Sequence, residues 1–517
     1  MNEHRGFQPL FVWCSHQRNE FGFNAHRYRT DVGSSRCSSR QPEKKQSVIL
    51  GYPPTFNRSC QTCQRGEPMP RCENRSPQTP TAQSWCGASS MVARRHSVPN
   101  TDRRFRVLFL PAWYPSLANP VSGVFVKEHA KAVALRDDVV VLYVSRRPAG
   151  CGEESPADSD TIEDGIRTVR VSYGALSNRL LRKLPRDVWR TDHAATDIRS
   201  NQQPGVLTSW LRSAVGYCLY CWRTYVAFRA IQRTGWRPDV IHAHVYSAGV
   251  PAVVLGRLYG LPVVITEHST AFPRGLVRGR AASMATFAFK HAAVVCPVSE
   301  SLKKSIEAHD VRAKYTVVPN VVDTKLFFPK QRTKGEQGST RRLLLVALLT
   351  PKKGVPYLLE ALAILKKKRV DFALDIVGDG LQRREYEELA QRLALTDTVF
   401  FHGMKDKPQV AEFMRNSDVF VVSSTFETFS VVTAEALATG LPVVATRCGG
   451  PEELVAAEAG LIVEPGDPQA LCDAIEHVLD NLDSYPRERI GRYAAQRFSR
   501  DAVGAQLHEV YTRLTSR

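Results

Sequence analysis

The sequence predicts an α/β protein built from two doubly wound parallel-sheet domains. From about residue 104 onward, short runs rich in Val, Ile and Leu alternate with amphipathic stretches of helical periodicity. These runs are continuously apolar, which is typical of parallel strands that are buried on both faces. The alternation starts a second time at residue 342, and this repetition indicates two domains.

The length and charge of the chain narrow the classes of protein that fit it. The chain has 517 residues, 43% hydrophobic and 23% charged, which excludes collagen-like, coiled-coil and wholly disordered proteins. Its net charge of +19, from 70 basic and 51 acidic residues, indicates an anionic partner such as nucleic acid, a membrane face or a phosphate-bearing ligand. No uncharged apolar stretch of about 18 residues is present, so we expect no transmembrane helix.

Residues 1–103 are predicted to be a disordered basic extension, because they offer few aliphatic side chains for a core. Met91 precedes a short leader into the first strand, and we expect it to be the physiological start. A zinc knuckle built on Cys60-x2-Cys63 and the two later cysteines is the alternative, disfavoured because only one such pair is present. Nucleic-acid binding by this basic segment is a further alternative.

The first predicted domain covers residues 104–325, with an irregular insertion at 147–205. Within the insertion, the carboxylate-rich stretch 158–164 is expected in a loop. The basic amphipathic stretch 175–189 either lies on an anionic membrane face or packs as a solvated loop helix. Strands are expected at 106–110, 139–144, 168–173, 240–244, 262–266 and 293–298. A helix at 209–231 is predicted to bury one face, made of Leu211, Val215, Cys218, Trp222 and Val226.

The second predicted domain covers residues 326–490 and follows a polar linker near 325–341. Residues 491–517 are predicted to form a C-terminal helix. Strands are expected at 342–348, 372–378, 398–403, 419–424, 442–446 and 460–465.

Two carboxylates in the second domain are candidates for chemistry. Glu427 follows a predicted strand and Glu435 lies about two turns into the next helix, so both can face one ligand. The amides of Phe429, Ser430 and Val431 then form a helix N-terminus, which suits a phosphate. The alternative interpretation is an ordinary surface Glu followed by a helix Glu.

Further candidates stand where strands end. Lys353 lies between a strand and a helix, where it can meet a diphosphate. Gly123 opens a helix in the first domain with free backbone amides. His268 ends a strand, where side chains of open α/β sheets face the ligand crevice. His242 and His244 end another strand, and each of these histidines could equally be a satisfied structural residue.

With these residues in place, the chain resembles glycosyltransferase family 4, whose members have the GT-B fold of two Rossmann-like domains facing a cleft. The resemblance covers residues 105–515. It rests on segments such as GVFVKEHAKAVA, LPVVITEHS, LTPKKGVPYLLEAL, STFETFSVVTAEALATGLPVVAT and GGPEELV. The final helix resembles the family's tail helix, which crosses back to the first domain.

The resemblance implies roles for the candidate residues. His268 and Glu427 are expected to contact the transferring sugar, and Glu435 the nucleotide ribose. The donor diphosphate is expected to bind at Gly123, Lys353, Phe429, Ser430 and Val431.

Additional candidates and departures also follow from the resemblance. Further residues near the cleft are Lys352, Gly403 and Glu453, whereas Asn320 and Asp323 are interpreted as structural. The chain departs from the family at Leu348, where many members have an Arg, and at Val321 and Ser430, where Gly is usual.

The family implies a retaining transfer of a hexosyl unit from a nucleotide-diphosphate sugar, with no metal or other cofactor. The opening motif resembles transferases of teichuronic acid and exopolysaccharide assembly. This implies a glycan or lipid-linked acceptor in cell-surface polysaccharide biosynthesis and no nucleic-acid partner. It also implies a cytoplasmic location with a peripheral contact at the inner, anionic face of the membrane. A nucleotide-sugar 2-epimerase and a non-catalytic carbohydrate binder of the same fold are the alternatives.

Overall fold

The computed structural model describes residues 103–116, 119–145, 158–173, 206–330 and 340–516. Most of the predicted extension, with Met91 and the candidate zinc cysteines, lies outside these residues, as does the basic stretch 175–189. Within the described ranges, no helix combines the length and the apolar character needed to cross a bilayer.

The described strands form two sheets. The first sheet contains β1 (Arg106–Pro111), β2 (Asp138–Ser145), β3 (Ser159–Glu163), β4 (Ile166–Ser172), β5 (Val240–His244), β6 (Val263–Glu267) and β7 (Val294–Pro297). Its spatial order is β3-β4-β2-β1-β5-β6-β7. The second contains β8 (Arg341–Val346), β9 (Phe372–Val377), β10 (Val399–Phe401), β11 (Val419–Val422), β12 (Val443–Thr446) and β13 (Gly460–Val463), in the order β10-β9-β8-β11-β12-β13.

Helices cover both faces of each sheet. They are α1 (Val124–Val133), α2 (Val206–Arg233), α3 (Tyr246–Tyr259), α4 (Arg280–His291), α5 (Glu300–Glu307), α6 (Val355–Leu365), α7 (Arg383–Arg392), α8 (Lys407–Asn416), α9 (Val431–Ala438), α10 (Gly450–Leu454), α11 (Pro468–Asp480), α12 (Arg487–Phe498) and α13 (Arg500–Thr515). All neighbouring strands are parallel except β3 and β4. The predicted fold class, two parallel-sheet α/β domains, is confirmed.

The last helix, α13, packs on the first sheet although it follows the second sheet in the chain. Leu507 and Tyr511 join the core that α1 forms with β1 and β2. Tyr511 Oη lies 2.7 Å from His242 Nδ1, and a Cβ on Gly504 would stand 2.3 Å from the carbonyl oxygen of Ala132. The close helix contact at Gly504 therefore requires a residue without a side chain.

Two expectations about the first domain are wrong. The carboxylate-rich stretch 158–164 is not a loop, because it contains the edge strand β3, paired antiparallel to β4. In α2, Trp222 and Cys218 of the predicted buried face are exposed, and the helix instead buries Tyr220, Thr224 and Phe228. The helix carries apolar side chains around most of its circumference, so its periodicity did not identify the face that packs.

Candidate active site

The candidate residues stand at the two places where the strand order reverses. In the first sheet, the chain leaves β1 toward β2 and later returns to β5 on the other side of β1. In the second sheet, it leaves β8 toward β9 and later returns to β11. Loops at the carboxyl ends of such strand pairs diverge and leave a crevice. Gly123 follows β1, His244 ends β5, Lys353 follows β8 and Glu427 follows β11.

The loop that carries Lys353 is shaped by a glycine. Residues Pro351–Lys353 form a short 3-10 turn, and Gly354 then adopts a left-handed conformation with φ of 62° before α6 begins. A Cβ at Gly354 would stand 2.0 Å from the carbonyl oxygen of Ser423. The loop between β8 and α6, residues 347–354, which we call the β8 loop, therefore lies directly against the end of β11. This contact brings Lys353 to Glu427.

Lys353 and Glu427 form a close ion pair. Lys353 Nζ donates to Glu427 Oε1 at 2.5 Å, and Ser424 Oγ donates to the same oxygen at 3.0 Å. Both charged side chains are largely buried. Burial raises the pKa of Glu427, but Lys353, Lys352 and Ser424 together outweigh it and leave that pKa below its usual value. Glu427 is therefore a carboxylate at neutral pH.

The helix α9 begins four residues after Glu427. Ser430 precedes α9 in a left-handed conformation with φ of 68°, which is unusual for a residue with a side chain. Its Oγ lies 2.7 Å from Thr433 Oγ1. Phe429 is buried, and the first residue of α9 is Val431. The backbone amides at the start of a helix are suited to an anion.

Glu435 lies within α9 and has a different electrostatic environment. Its carboxylate is buried, and Lys407 Nζ lies 3.6 Å from its Oε1. Burial raises the pKa of Glu435 to about 7; Lys407 opposes this rise, whereas Glu128 and Asp323 add to it. Glu427 and Glu435, eight positions apart in the sequence, thus have pKa values shifted in opposite directions.

In the first sheet, His268 follows β6 and belongs to a group of stacked histidines. His268 Nε2 lies 3.0 Å from His244 Nδ1, and the two rings are nearly parallel. Phe125, in the first turn of α1, also packs against His268, with ring centroids 4.4 Å apart. Burial, then His129 and His242, lower the pKa of His268 well below its usual value, so the ring is neutral.

Several buried polar atoms around this group have no hydrogen-bond partner among the described residues. They are His268 Nδ1, His244 Nε2 and Asn320 Oδ1, none of which makes a hydrogen bond of ordinary geometry. The Asn320 side chain lies next to His268 and partly opposes the fall of its pKa. Buried polar atoms are rarely left unpaired in folded proteins, and exceptions often occur at ligand sites. By contrast, His242 is satisfied by Tyr511 Oη and by Thr266 Oγ1, so it is a structural residue.

One set of side chains in the described ranges has the composition of a metal site. His129, His244 and His268 each offer a nitrogen, and these atoms lie within 4.8 Å of one another. The same rings are engaged otherwise: His244 pairs with His268, and the two nitrogens of His129 lie 3.0 and 3.1 Å from the carbonyl oxygens of Phe125 and Pro319. Burial lowers the pKa of His129 to about 4, so the neutral ring donates to only one of these carbonyls.

Four hydrogen bonds join the two sides of the site. Thr428 Oγ1 donates to the carbonyl oxygen of His268 at 3.3 Å, and Ser299 Oγ donates to that of Thr428 at 2.6 Å. Glu453, in α10, accepts from the amides of Glu300 and Ser301 at 2.7 and 2.6 Å. Glu453 therefore binds the N-terminus of α5. These contacts bring the loop of Glu427 against the loop of His268.

The remaining candidates lie at the borders of the site. Gly123 begins α1 with φ of 67°, and a Cβ there would meet the carbonyl oxygen of Trp113 at 2.3 Å. Gly403 follows β10 with φ of 68°. The carbonyl of Lys352 accepts from the amide of Thr425 at 2.8 Å, and Leu348 is partly exposed beside the β8 loop.

The sequence analysis did not single out three residues of this arrangement. His129 lies in the second turn of α1 and packs against both His244 and His268. Lys407 pairs with Glu435, and Glu128 is a buried carboxylate bound by Arg500. The one signal in the sequence for the burial of His129 was its position within an amphipathic helix. Lys407 looks like an ordinary surface lysine in the sequence.

Comparison with known proteins identifies the class. Residues 327–497 match the family model described as "Glycosyl transferases group 1", and residues 192–326 match the model "Glycosyltransferase Family 4". A D-inositol 3-phosphate glycosyltransferase of Corynebacterium urealyticum is 30% identical over 307 residues, which are 53% of this chain and 72% of the relative. A glycogen synthase of Mycobacterium tuberculosis is 26% identical over 406 residues, 77% of this chain and 91% of the relative.

Solved structures share the fold at lower sequence identity. The sucrose-phosphate synthase of Thermosynechococcus elongatus is similar with a TM-score of 0.60 at 20% identity, covering 80% of this chain and all of the other. Anabaena HepE, in complex with UDP and glucose, has a TM-score of 0.55 at 20% identity over the same shares. The chain belongs to glycosyltransferase family 4, and it is a glycosyltransferase.

Proposed function

We propose that this protein transfers a hexosyl unit from a nucleotide-diphosphate sugar to a glycan or lipid-linked acceptor, with retention of the anomeric configuration. The observation that carries the proposal is the buried pair of Lys353 and Glu427 beside the N-terminus of α9. This arrangement places a cation and free backbone amides at one edge of the second sheet. Such groups stabilise the charge that develops on a leaving diphosphate.

The first sheet supplies groups suited to a sugar. His268, His244 and Asn320 present buried nitrogen and oxygen atoms without partners in the described chain. Sugar hydroxyls both donate and accept hydrogen bonds, and they can therefore satisfy such atoms. The hydrogen bond from the Thr428 hydroxyl to the carbonyl oxygen of His268 supports a donor sugar bound between the loops of Glu427 and His268.

Similar proteins support the donor class. HepE from Anabaena was solved with UDP-glucose, and the catalytic domain of starch synthase IV from Arabidopsis thaliana was solved with ADP and acarbose. From these ligands, we propose for this chain only that the donor carries a nucleotide diphosphate. Glu435, within the same helix that opens at Ser430, is the proposed partner of the nucleotide ribose.

The proposed reaction balances without a cofactor. The bond between the anomeric carbon and the diphosphate oxygen breaks, and a bond to the acceptor oxygen forms on the same face of the sugar. The acceptor hydroxyl gives its proton to the departing phosphate oxygen. Lys353 and the α9 amides stabilise the negative charge, while Glu427 holds Lys353 and contacts a donor hydroxyl.

The acceptor and the cellular setting rest on the resemblance of the opening motif around GVFVKEH. We propose an acceptor used in cell-surface polysaccharide biosynthesis, and a protein that works in the cytoplasm beside the inner membrane face. Gly123, in this motif, opens α1 in close contact with the backbone of Trp113.

Donor binding tests the proposal directly. Calorimetry of the full chain against UDP-, GDP- and ADP-glucose should show binding of one nucleotide class. A Lys353→Met variant should lower kcat/KM by about 100-fold or more, because it removes the cation beside the leaving group. Lys367→Met, which removes an exposed lysine beyond the end of α6, is the matched control and should leave both measurements unchanged.

The outcomes separate the alternatives. Failure of every nucleotide sugar to bind would contradict the proposal, and a Lys353→Met variant as active as the wild type would refute the assigned role. Isomerised free donor without transfer would identify an epimerase. NMR of the first product tests retention, since an inverted anomeric centre would exclude the front-face mechanism.

We also expect transfer without a metal ion. Activity should be retained in excess EDTA, because Lys353 and the helix amides already supply the positive potential at the diphosphate. Complete loss of activity that returns with a divalent cation would contradict this expectation. The histidine triad of His129, His244 and His268 would then be the first place to look for the ion.

A further inference from the structure

Lys407 is carried by a firmly held start of α8. Asp406 caps this helix: its Oδ1 accepts the amide of Gln409 at 2.9 Å, and its own amide donates to Gln409 Oε1 at 3.1 Å. The preceding loop is tied to the end of β9, because the amide of Gly378 donates to the carbonyl oxygen of Gly403 at 2.9 Å. The backbone of Lys407 is therefore fixed without any contribution from its side chain.

The side chain of Lys407 places a cation beside Glu435. Its Nζ lies 3.6 Å from Glu435 Oε1. The side chain of Glu435 is only 7% exposed, whereas that of Lys407 is 40% exposed. The carboxylate is thus held inside the protein next to a cation that still reaches solvent, and a ligand can approach the pair from the solvent side.

Two acidic residues outside the second sheet oppose this cation. Burial raises the pKa of Glu435, and Glu128 of α1 and Asp323 add to the rise. Arg500 Nη2 binds both of these carboxylates at 2.7 Å, which reduces their effect but does not cancel it. Lys407 therefore acts against the combined influence of burial and of two neighbouring acids.

The other ionisable side chains of the elements packed on α9 have partners elsewhere. The neighbouring strands β11 and β12 carry none. In α10, Glu452 pairs with Arg447, and Glu453 caps α5. In α12, Arg487 donates to backbone carbonyl oxygens at the end of α8, and the other charged side chains of the helix are exposed. Within the described chain, Lys407 is thus the close cation of the α9 carboxylate.

We propose that Lys407 is a positioning residue for the nucleotide, which holds Glu435 as an oriented, charged acceptor for the ribose hydroxyls of the donor. The inference rests on the proposed function, in which Glu435 binds the ribose. A carboxylate accepts hydrogen bonds at both oxygens, whereas a protonated carboxyl uses one oxygen as a donor. Two neighbouring ribose hydroxyls therefore bind best to the charged form. Lys407 acts through Glu435 and needs no contact with the nucleotide.

The pH dependence of nucleotide binding tests the inference. Calorimetry of the full chain with UDP, GDP and ADP identifies the nucleotide that the wild type binds. With that nucleotide, Lys407→Met should weaken binding about fivefold at about pH 7, because loss of the cation raises the pKa of Glu435 further. At about pH 9 the carboxyl is ionised even without Lys407, and the loss should be less than about twofold.

A double-mutant cycle separates positioning from direct contact. In a Glu435→Gln background, Lys407→Met should change the dissociation constant by less than about twofold, because the charge that Lys407 supports is already gone. Lys407→Arg keeps a cation and should bind within about twofold of the wild type. The control Lys367→Met, an exposed lysine beyond the end of α6, should leave binding and its pH dependence unchanged.

Three results would overturn the inference while nucleotide binding by the wild type remains. They are wild-type affinity of Lys407→Met, a loss that is the same at both pH values, and an equal loss in the Glu435→Gln background. The last two would show that Lys407 contacts the nucleotide itself. Far-UV circular dichroism and cooperative thermal unfolding establish that each variant is folded.

Failure of the proposed function gives a different pattern. If none of the three nucleotides binds the wild type, the donor assignment is wrong and the role of Lys407 falls with it. If a nucleotide binds and Glu435→Gln binds it as tightly as the wild type, Glu435 is not the ribose partner, and the inference is refuted on that ground.

Discussion

At the residue scale, the pKa values of Glu427 and Glu435 differ in part because their nearest cations lie at different distances. Glu427 receives Lys353 Nζ at 2.5 Å, whereas Glu435 has Lys407 Nζ only at 3.6 Å. Lys353, with help from Lys352 and Ser424, outweighs the effect of burial on the pKa of Glu427. At Glu435, Lys407 does not outweigh burial, to which Glu128 and Asp323 add. Glu427 therefore stays charged, while Glu435 loses its charge readily near neutral pH.

The raised pKa of Glu435 predicts how stability depends on pH. In the unfolded chain this carboxyl ionises near its usual value of 4.5, but in the folded chain it ionises near 7. The folded state thus binds the extra proton, and the free energy of unfolding falls as pH rises from about 5 to about 8. The contribution of Glu435 to this fall is about 3 kcal/mol. Urea unfolding across this range measures it.

A Glu435→Gln variant should show a smaller fall over the same range. Part of the fall should remain, because burial also raises the pKa of Glu267 to about 7, in spite of three backbone amides that donate to it. Glu360→Gln changes an exposed carboxylate on α6 and should reproduce the wild-type slope. A Glu435→Gln variant with the full wild-type slope would show that Glu435 is charged in the folded protein.

At the element scale, the β8 loop depends on the absence of a side chain at Gly354. Ala at this position would adopt a left-handed backbone at a cost of about 1–2 kcal/mol, and its Cβ would also overlap the carbonyl oxygen of Ser423. Gly354→Ala should therefore destabilise the protein by more than this amount and lower kcat/KM, because Lys353 moves with the loop.

Gly165 provides a matched control for the cost of a left-handed backbone conformation. It also has a positive φ, of 83°, but a Cβ there would meet nothing within 4 Å. Gly165→Ala should show the left-handed cost alone and retain activity. If the two substitutions lower the free energy of unfolding equally in urea titrations, the close approach of the β8 loop to Ser423 is not rigid.

The elements also show what the sequence could and could not predict. Strands such as β1 and β11 are recognisable because continuous apolar runs occur in soluble proteins mainly where both sheet faces are covered. The edge strand β3 was missed because an antiparallel edge tolerates the exposed polar residues of Ser159–Glu163. The buried face of α2 was mispredicted since Trp222 and Cys218 fit the helical period as well as Tyr220 does.

The candidate site was predictable only in part for a similar reason. Glu427, Glu435 and Lys353 could be singled out because they follow strands or begin helices near a recognisable motif. Their partners could not be deduced, since Lys407 and the histidine group approach through tertiary structure. The assigned roles of the site residues stay predictions until the variants above are measured.

At the scale of the whole molecule, Arg500 connects parts of the chain that are distant in sequence. Its guanidinium donates to Glu128 in α1 at 2.7 and 2.9 Å and to Asp323, in the segment after the first sheet, at 2.7 Å. Glu128 is buried. Arg500 therefore fastens α13 to the first domain through charge as well as through the apolar contacts of Tyr511.

Loss of this cation should be costly. Arg500→Met should lower the free energy of unfolding by about 2 kcal/mol, because it removes the close partner of the buried Glu128 carboxylate and leaves only Lys131, whose Nζ lies 3.8 Å away. Arg513→Met removes an arginine of the same helix whose pair with Glu509 is exposed, and it should change stability by less than about 0.5 kcal/mol. Equal effects of the two variants in urea unfolding would contradict the structural role of Arg500.

The cap that Glu453 places on α5 has a kinetic consequence. The Glu453 carboxylate lies in the second domain. The two amides that donate to it, those of Glu300 and Ser301, lie in the first domain. Separating the two loops would return all three groups to water and would break the contacts of Thr428 and Ser299 in the same event. A nucleotide whose release requires the two loops to separate would leave only after these hydrogen bonds had broken together. A change at Glu453 would then alter the rate of product release without touching the reacting atoms.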